Sequence, residues 1–542
     1  MIKHAIEARA QIGLLGLLHL HFKNNTIKVS AVLKLIQILA LAALAAGCST
    51  VDFDYPKPES SALSETQDTY LAKHFRGAGD SYPEDYAGFQ TLSDGIEALS
   101  VRLALADLAE KSIDAQYYLL KKDVTGKAFV LSLLRAADRG VRVRLLLDDM
   151  FTGGYDAGLA GLDSHPNIEI RIFNPFASRS ARFWDGITGF SRINRRMHNK
   201  SFTIDNQVTL IGGRNIADEY FGARKDAKFG DLDVLGIGPV VQDVSSMFDT
   251  YWKHERSAAI NAFAKMPEDP AIELERLRKA FTQAEKEIMT TRYAAAVTES
   301  IITSAQGELG MFTWAPYQLA VDSPDKSISS KSATAASITT PLLESILAAK
   351  KEVLIISPYF VPGKSGVEAL VKLQESGIAV TIITNSLAAN NQIMVHGGYA
   401  PSRKPLLQAG IKIYEVRADA TIAGSEIVAA DDAKTTLHTK AFAVDRKEAF
   451  IGSFNFDPRS ANINTELGVI IRSEKIATEI AVLIEEKAPA GAFEVFLNDD
   501  NKLRWRGLDN GVDVVLDKEP QSTQWQRFQA GFYRILPIDS QL

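Results

Sequence analysis

Apolar and polar positions follow two periods along this chain. Ser112 to Leu120 (SIDAQYYLL) is rich in β-branched and aromatic residues, and Val141 to Leu147 (VRVRLLL) is an almost continuous apolar run. Both predict strands. Between them, Lys127 to Arg139 spaces its apolar residues for a helix, and Gly140 stands where that helix must end with a positive φ. The same succession returns as Glu352 to Ser357 (EVLIIS), a helical Val367 to Glu375, Gly377, then Ile378 to Thr384 (IAVTIIT). A repeat of so long a period means two copies of an α/β domain, not a solenoid.

The rest of the chain divides around those copies. We expect a leader over residues 1–47, a polar tether over 48–95 and a first domain over 96–260. A connecting helical region over 261–335, a second domain over 336–490 and a tail over 491–542 follow. Asp269 to Thr291 is charged with helical periodicity, whereas Gln306 to Ser337 shows no clear period. In the tail, Asp509-Asn510-Gly511 predicts a hairpin. After it, Trp525, Phe528, Phe532 and Ile535 share one helical face, with Arg527 and Arg534 at its edges. That face either packs on the core or lies in a membrane interface.

Composition narrows the classes. The 542 residues are 46% hydrophobic and 23% charged, which is the balance of a folded globular protein. Formal net charge is −6, and residues 1–47 carry +4, leaving −10 on the remainder. Such a chain is a poor nucleic-acid binder. Cys48 is the only cysteine, so neither an intramolecular disulfide nor a thiolate metal cluster is expected. It follows Lys34, an apolar run from Ile38 to Ala46, and the small residues Ala45-Ala46-Gly47. This pattern suits a cleaved secretory leader, and it resembles the lipobox of bacterial lipoproteins, which implies acylation of Cys48. A membrane-anchored, extracytoplasmic protein is the expectation.

Two segments carry the chemistry. HNKSFTIDNQVTLIGGRN holds His198, Lys200, Asp205, Gly213 and Asn215; HTKAFAVDRKEAFIGSFN holds His438, Lys440, Asp445, Ser453 and Asn455. Both share one spacing, inside matching repeats. A histidine and a lysine two residues apart on a strand point to one face. Lysine meets phosphate as a point charge, and an asparagine amide can donate to a phosphate oxygen. One imidazole cannot both attack phosphorus and protonate the leaving oxygen, but two brought together can. No cluster with metal-ligand spacing accompanies them, so no metal and no cofactor is expected.

This duplicated His-x-Lys-x4-Asp segment resembles the signature of the phospholipase D superfamily. The resemblance implies two duplicated phospholipase D-like α/β domains, each a mixed sheet flanked by helices, with one active site at their pseudo-two-fold interface. It also implies a phosphohistidine intermediate, with His198 as nucleophile and His438 as the acid and base for the alcohols. Lys200, Lys440, Asn215, Asn455 and Ser453 would hold phosphate. Asp205 and Asp445 complete the motif and are expected to shape the strand-end turn rather than touch substrate. The family's histidine-orienting acid maps to Glu466 for His438 and to Asp231 for His198.

SHPNIEIRIFNPF, SRINRRMHNKSF, GGRNIADEYFG, YFVPGKSGV, TNSLAANN and GSFNFDPRS further resemble bacterial cardiolipin synthases of the C type. That implies phosphatidyl transfer between membrane phospholipids, phosphatidylglycerol and phosphatidylethanolamine among them, with hydrolysis to phosphatidic acid as the alternative and a nuclease as a lesser one. Arg192, Arg195 and Arg196 are either a second phosphate site or an exposed basic turn. Phe183, Trp184, Ile187 and Phe190, interleaved with Arg179 and Arg182, either enter the membrane interface or join the core. His396, beside the NSLAANN loop, is a marginal candidate for the site.

Overall fold

The computed structural model describes residues 51–542 apart from 178, 180–181, 183–188, 264–266, 290, 304–311, 329–336, 422–432, 510–511 and 537. The leader, Cys48, Phe183, Trp184 and Ile187 therefore lie outside the described residues. Phe176–Phe190 form part of one compact unit, in which the Arg182 guanidinium lies 4.9 Å from the Phe176 ring centroid and Phe190 is exposed. The other unit, Asp52–Pro175 with Ser191–Leu542, holds both repeats.

In the first repeat the strands are β1 (Tyr86–Leu92), β2 (Ser112–Tyr117), β3 (Arg142–Asp148), β4 (Ile168–Phe173), β5 (Ser201–Ile204), β6 (Val208–Gly212), β7 (Ala227–Gly230), β8 (Asp233–Ile237) and β9 (Ser257–Ala259). They pair in the order β9-β4-β3-β2-β5-β6-β8-β1, with β7 outside this sheet. The second repeat supplies β10 (Thr313–Val321), β11 (Glu352–Ile356), β12 (Ala379–Asn385), β13 (Lys412–Val416), β14 (Lys434–Leu437), β15 (Ala441–Val444), β16 (Glu448–Gly452), β17 (Leu467–Ile471) and β18 (Ala492–Leu497). Their order, β18-β13-β12-β11-β15-β16-β17-β10, is that of the first repeat, strand for strand. The tail adds β19 (Leu503–Asp509) and β20 (Val512–Leu516) beyond β18, and Asp509 pairs with Val512 across the expected hairpin.

Local chemistry sets these elements. Helices Val124–Asp138 and Gly363–Glu375 cross between the parallel pairs β2–β3 and β11–β12, and each is followed by a glycine at positive φ, Gly140 at +97° and Gly377 at +87°. A Cβ there would meet the left-handed penalty that glycine avoids. At the β5–β6 turn, Asp205 and Asn206 both have φ near +50°, and Asp445 and Arg446 repeat this at β15–β16. The Asp205 carboxylate accepts from the amides of Glu110, Lys111 and Ser112, and Asp445 accepts from Lys350, Lys351 and Glu352. Each aspartate thus ties a hairpin to the strand beside it, in keeping with a structural part.

Two expectations about the linkers need correction. Residues 52–92 are no free tether. Lys57 donates to the Ser257 carbonyl (2.8 Å), Arg171 to the Pro58 carbonyl (2.6 Å) and Trp252 Nε1 to Ser60 Oγ (3.0 Å), and the segment ends as β1 inside the sheet. Polar, proline-containing chain can be held by such side-chain bonds without any apolar period. Within 261–335, helix Pro270–Ile288 appears as expected, but β10 joins the two repeats. Its first half pairs with β1 (Phe89 opposite Thr313) and its second half with β17 (Val321 opposite Leu467). Pro316, at the changeover between partners, masks the strand in the sequence.

Candidate active site

The two motif histidines enter the site through matching backbone contacts. The His198 amide donates to the Thr465 carbonyl (2.8 Å), and the His438 amide donates to the Gly230 carbonyl (2.7 Å). Each carbonyl belongs to the residue just before an acid of the opposite repeat. A parallel β7–β14 pairing makes the second contact, and an isolated Met197–Thr465 bridge makes the first. His198 and His438 stand just before β5 and β15, not within them, and both are buried.

That backbone arrangement decides which acid serves which imidazole, and it overturns the sequence assignment. His198 Nδ1 lies 2.8 Å from Glu466 Oε2, and His438 Nδ1 lies 2.5 Å from Asp231 Oδ2. The pairs are crossed between repeats. Sequence order had joined each histidine to the next acid downstream, whereas spatial order joins it to the acid of the other copy. An ionised carboxylate can only accept, so each pairing places the proton on Nδ1 and leaves Nε2 without one, with Lys440 Nζ also 3.0 Å from His438 Nδ1.

The Gly213/Ser453 difference follows from the same geometry. Ser453 Oγ donates to Glu466 Oε2 (2.5 Å) and accepts from the Leu467 amide (3.0 Å), so its hydroxyl steadies the acid and is not aimed at phosphate. In the first repeat Asp231 Oδ1 itself takes the equivalent amide, that of Leu232 (2.9 Å). A Cβ on Gly213 would stand 2.3 Å from that oxygen. Glycine is therefore required. Arg214 completes the support by donating to the Asp231 carbonyl (2.6 Å).

Lys200 and Lys440 are buried, and each Nζ folds back to 2.5 Å from the carbonyl of its own motif histidine. Asn215 and Asn455 are buried too, and among the described residues neither Oδ1 has a hydrogen-bond partner. Turned by half a rotation, each amide would aim N–H groups where the oxygen now sits. Aromatic rings wall the histidines. Tyr118 meets His198 edge-on (4.9 Å between centroids), Tyr220 meets His438 likewise (5.0 Å), and Phe229 stacks on His438 (5.8 Å). These three were missed in the sequence. Tyr118 had one available signal, its place just past the carboxyl end of the parallel strand β2, where sites in α/β sheets form.

Burial is the dominant electrostatic influence. It lowers His198 to about 4 against the pull of Glu466, and His438 to about 3, with Lys440 acting in the same direction and Asp231 opposing. Burial also lowers Lys440 to about 8 and carries Lys200 well below its ordinary range. Burial pushes Asp231 and Glu466 up, but their histidine and lysine neighbours outweigh it and hold both below the usual carboxylate range. Each histidine also feels the lysine of the other repeat, so the two motifs form one constellation. Both imidazoles are neutral at pH 7, ready to attack or to accept a proton.

Other candidates do not join it. Arg196 is fully buried against Asp148, Arg192 bonds Asn174 Oδ1 and the Pro175 carbonyl, and Arg195 bonds the carbonyls of Lys326 and Asn462. They brace the segment leading to His198 and so do not form a free basic turn. His396 faces Glu519, which also pairs with Arg403, in a separate buried cluster. Among the described residues no group of three or more His, Cys, Asp or Glu is placed to hold a metal ion.

A family model described as the phospholipase D-like domain of cardiolipin synthase matches residues 103–252 and 342–487. The chain is 40% identical to cardiolipin synthase C of Escherichia coli (strain K12) over 83% of its own length and 95% of that protein's. It is 31% identical to an uncharacterized Helicobacter pylori protein (strain ATCC 700392 / 26695), over 82% and 88% of the two chains. In fold it is similar to the crystal structure of phosphatidylserine synthase from Haemophilus influenzae Rd KW20, with a TM-score of 0.54 at 13% identity, covering 84% of this chain and 95% of that one.

The crossed pairing has a direct spectroscopic test. In protein labelled with 15N-histidine, Glu466→Gln should shift the ring-nitrogen resonances of His198 and leave those of His438 in place, and Asp231→Asn should do the reverse. The opposite pattern would restore the pairing by sequence order.

Proposed function

The chain belongs to the cardiolipin synthase family of phospholipase D-like proteins, and on that premise we propose that it transfers a phosphatidyl group between two membrane phospholipids, forming cardiolipin. The observation that carries this reading is the single constellation of two neutral, carboxylate-braced imidazoles and two buried lysines. Its relationship to cardiolipin synthase C supports the lipid substrate.

In the first step Nε2 of His198 attacks the donor phosphorus and the bond to the leaving alcohol breaks. Nε2 of His438 gives that alcohol its proton. The alcohol is glycerol from phosphatidylglycerol, or ethanolamine from phosphatidylethanolamine. In the second step His438 takes the proton from the headgroup hydroxyl of phosphatidylglycerol. That oxygen attacks phosphorus, the phosphohistidine bond breaks, and His198 is regenerated. Glu466 and Asp231 keep the reacting nitrogens aimed, and Lys200 and Lys440 offset the charge of the phosphate oxygens.

The proton needed for the first step enters with the substrate. With both histidines neutral, the positive charge of the cluster rests on lysine ammonium groups that burial disfavours, set against the carboxylates of Asp231 and Glu466. A phosphodiester anion placed there favours a protonated His438, raising an imidazole that burial had lowered. Binding should therefore weaken as pH rises and should take up about one proton at neutral pH. Calorimetry with tungstate, in two buffers of unequal ionisation enthalpy, would measure this; heats that do not depend on buffer would remove His438 from the acid role.

Labelled phosphatidylglycerol tests the reaction. Wild-type protein should yield labelled cardiolipin, and His198→Ala and His438→Ala should each reduce turnover by at least ~10³-fold. Phosphatidic acid without cardiolipin would mean that water is the acceptor.

We further propose that acylated Cys48 anchors the chain on the extracytoplasmic face of a membrane, a reading supported by the small residues before it. Cys48→Ser should abolish fatty-acid labelling in cells, and an unlabelled wild type would end the idea.

A further inference from the structure

Helix Gln524–Arg534 is secured by its ends rather than by its apolar face. Thr523 and Gln526 form a reciprocal capping box at its start, and the Arg527 guanidinium bonds the Ser522 carbonyl. Of its eleven residues only Ala530 is buried. The contact it makes is close: a Cβ on Gly397 would stand 3.0 Å from the Ala530 carbonyl and 3.0 Å from Tyr533 Cβ, so the helix rests on glycine in helix Ile393–Tyr399. Trp525 is 64% exposed, Phe528 62%, Phe532 48% and Ile535, at its C-cap, 77%. The sequence left open whether this face meets the core, and in the structure it does not. Trp525 and Phe528 stack on one another at 5.3 Å, so the stripe is continuous.

The helix is tied to the active site on two sides. Helix Ile393–Tyr399, on which it rests, follows a loop whose Ala389 carbonyl accepts from Thr436, two residues before His438. Beyond Ile535 the chain runs to Leu542, whose carbonyl accepts from the Arg459 amide (2.6 Å), while Gln541 Oε1 accepts from Asn194 (2.8 Å). Arg459 in turn donates to the Asn194 carbonyl (2.6 Å), four residues before His198. Ile535 and Leu542 are seven positions apart, a span of at most ~25 Å even if fully extended. The C-terminal end of the exposed stripe thus lies within ~25 Å of Leu542, which is bonded through Arg459 to the segment that carries His198.

We propose that this helix is the face by which the protein lies on an anionic lipid bilayer, presenting the active site to the headgroup layer. The occupant follows from the chemistry on the helix. Tryptophan and phenylalanine supply the apolar insertion suited to an interface, and Arg527 and Arg534 flank it with no acidic residue in the helix. Such a face complements a surface of anionic headgroups better than it complements a second copy of itself, whose arginines would meet arginines. The inference deepens the lipid-transfer reading and rests on it for the site's orientation.

Bromine-labelled lipids test it without relying on turnover. The full chain should be mixed with vesicles of phosphatidylglycerol brominated along the acyl chain, and tryptophan emission followed. Quenching is expected, and Trp525→Phe should remove most of it, since that variant retains the other four of the five tryptophans. Unbrominated phosphatidylcholine vesicles mixed with the same brominated tracer should quench several-fold less as the anionic fraction falls. A second arm compares Phe528→Gln/Phe532→Gln with wild type on two substrates. Turnover of vesicle-borne phosphatidylglycerol should drop at least tenfold, and turnover of a short-chain, water-soluble phosphatidylglycerol should stay within twofold. Because the substituted residues are exposed, unchanged thermal unfolding is the folding control. Absence of quenching from Trp525 would overturn the proposal. So would a wild-type dimer in sedimentation that these substitutions convert to monomer, which would make a second copy the occupant. If neither substrate is turned over by wild type while Trp525 is still quenched, the transfer reading fails and the docking face stands.

Discussion

Everything in the catalytic half of this molecule depends on two backbone hydrogen bonds, from the His198 amide to Thr465 and from the His438 amide to Gly230. They fix each imidazole beside a carboxylate that belongs to the other repeat. Once those bonds are made, the tautomers, the free Nε2 atoms and the placing of the lysines follow. Leaving a buried hydrogen-bonding group without its partner typically costs about 1–3 kcal/mol, and more when the group left behind is a carboxylate. The site therefore cannot loosen one half without exposing the other half's charge to the same penalty.

Burial and pairing act against each other here, and the balance is useful. Desolvation alone would protonate Asp231 and Glu466 and strip Lys200 and Lys440 of charge. The neighbouring opposite charges hold the acids ionised and keep Lys440 near 8, while the histidines stay neutral. A nucleophilic imidazole needs that state. Water-exposed versions of the same residues would be charged more readily but aimed less well, and a phosphate anion would gain less from meeting them.

Much of this was legible in the sequence, and the reasons for the exceptions are specific. The duplicated strands and helices announced themselves because parallel strands buried on both faces read as apolar runs and their glycine stops stand out. The motif residues were legible because their spacing recurs. What the sequence could not carry was distance between segments far apart in number. Asp231 and Glu466 were both found, yet assigned to the wrong histidines, since 207 and 268 positions separate the true partners. β10 was hidden because a strand that changes partner along its length, with Pro316 at the changeover, lacks a clean alternation. Arg192, Arg195 and Arg196 looked like a basic patch until backbone carbonyls and Asp148 were found to occupy them.

The crossed acids also bear on how such a chain can arise. A polypeptide with one copy would hold a histidine and a carboxylate that are not each other's partners. Two identical copies meeting about a two-fold axis would complete both pairs at once, so the smallest working ancestor of this geometry is a symmetric homodimer. Joining the copies in one gene released them from identity. The Gly213–Asp231 and Ser453–Glu466 combinations record that freedom: each is internally matched, and exchanging only one member, such as serine for Gly213, would drive a side chain into the carboxylate it should support. At these two places a change on one side is tolerated only with a matching change on the other.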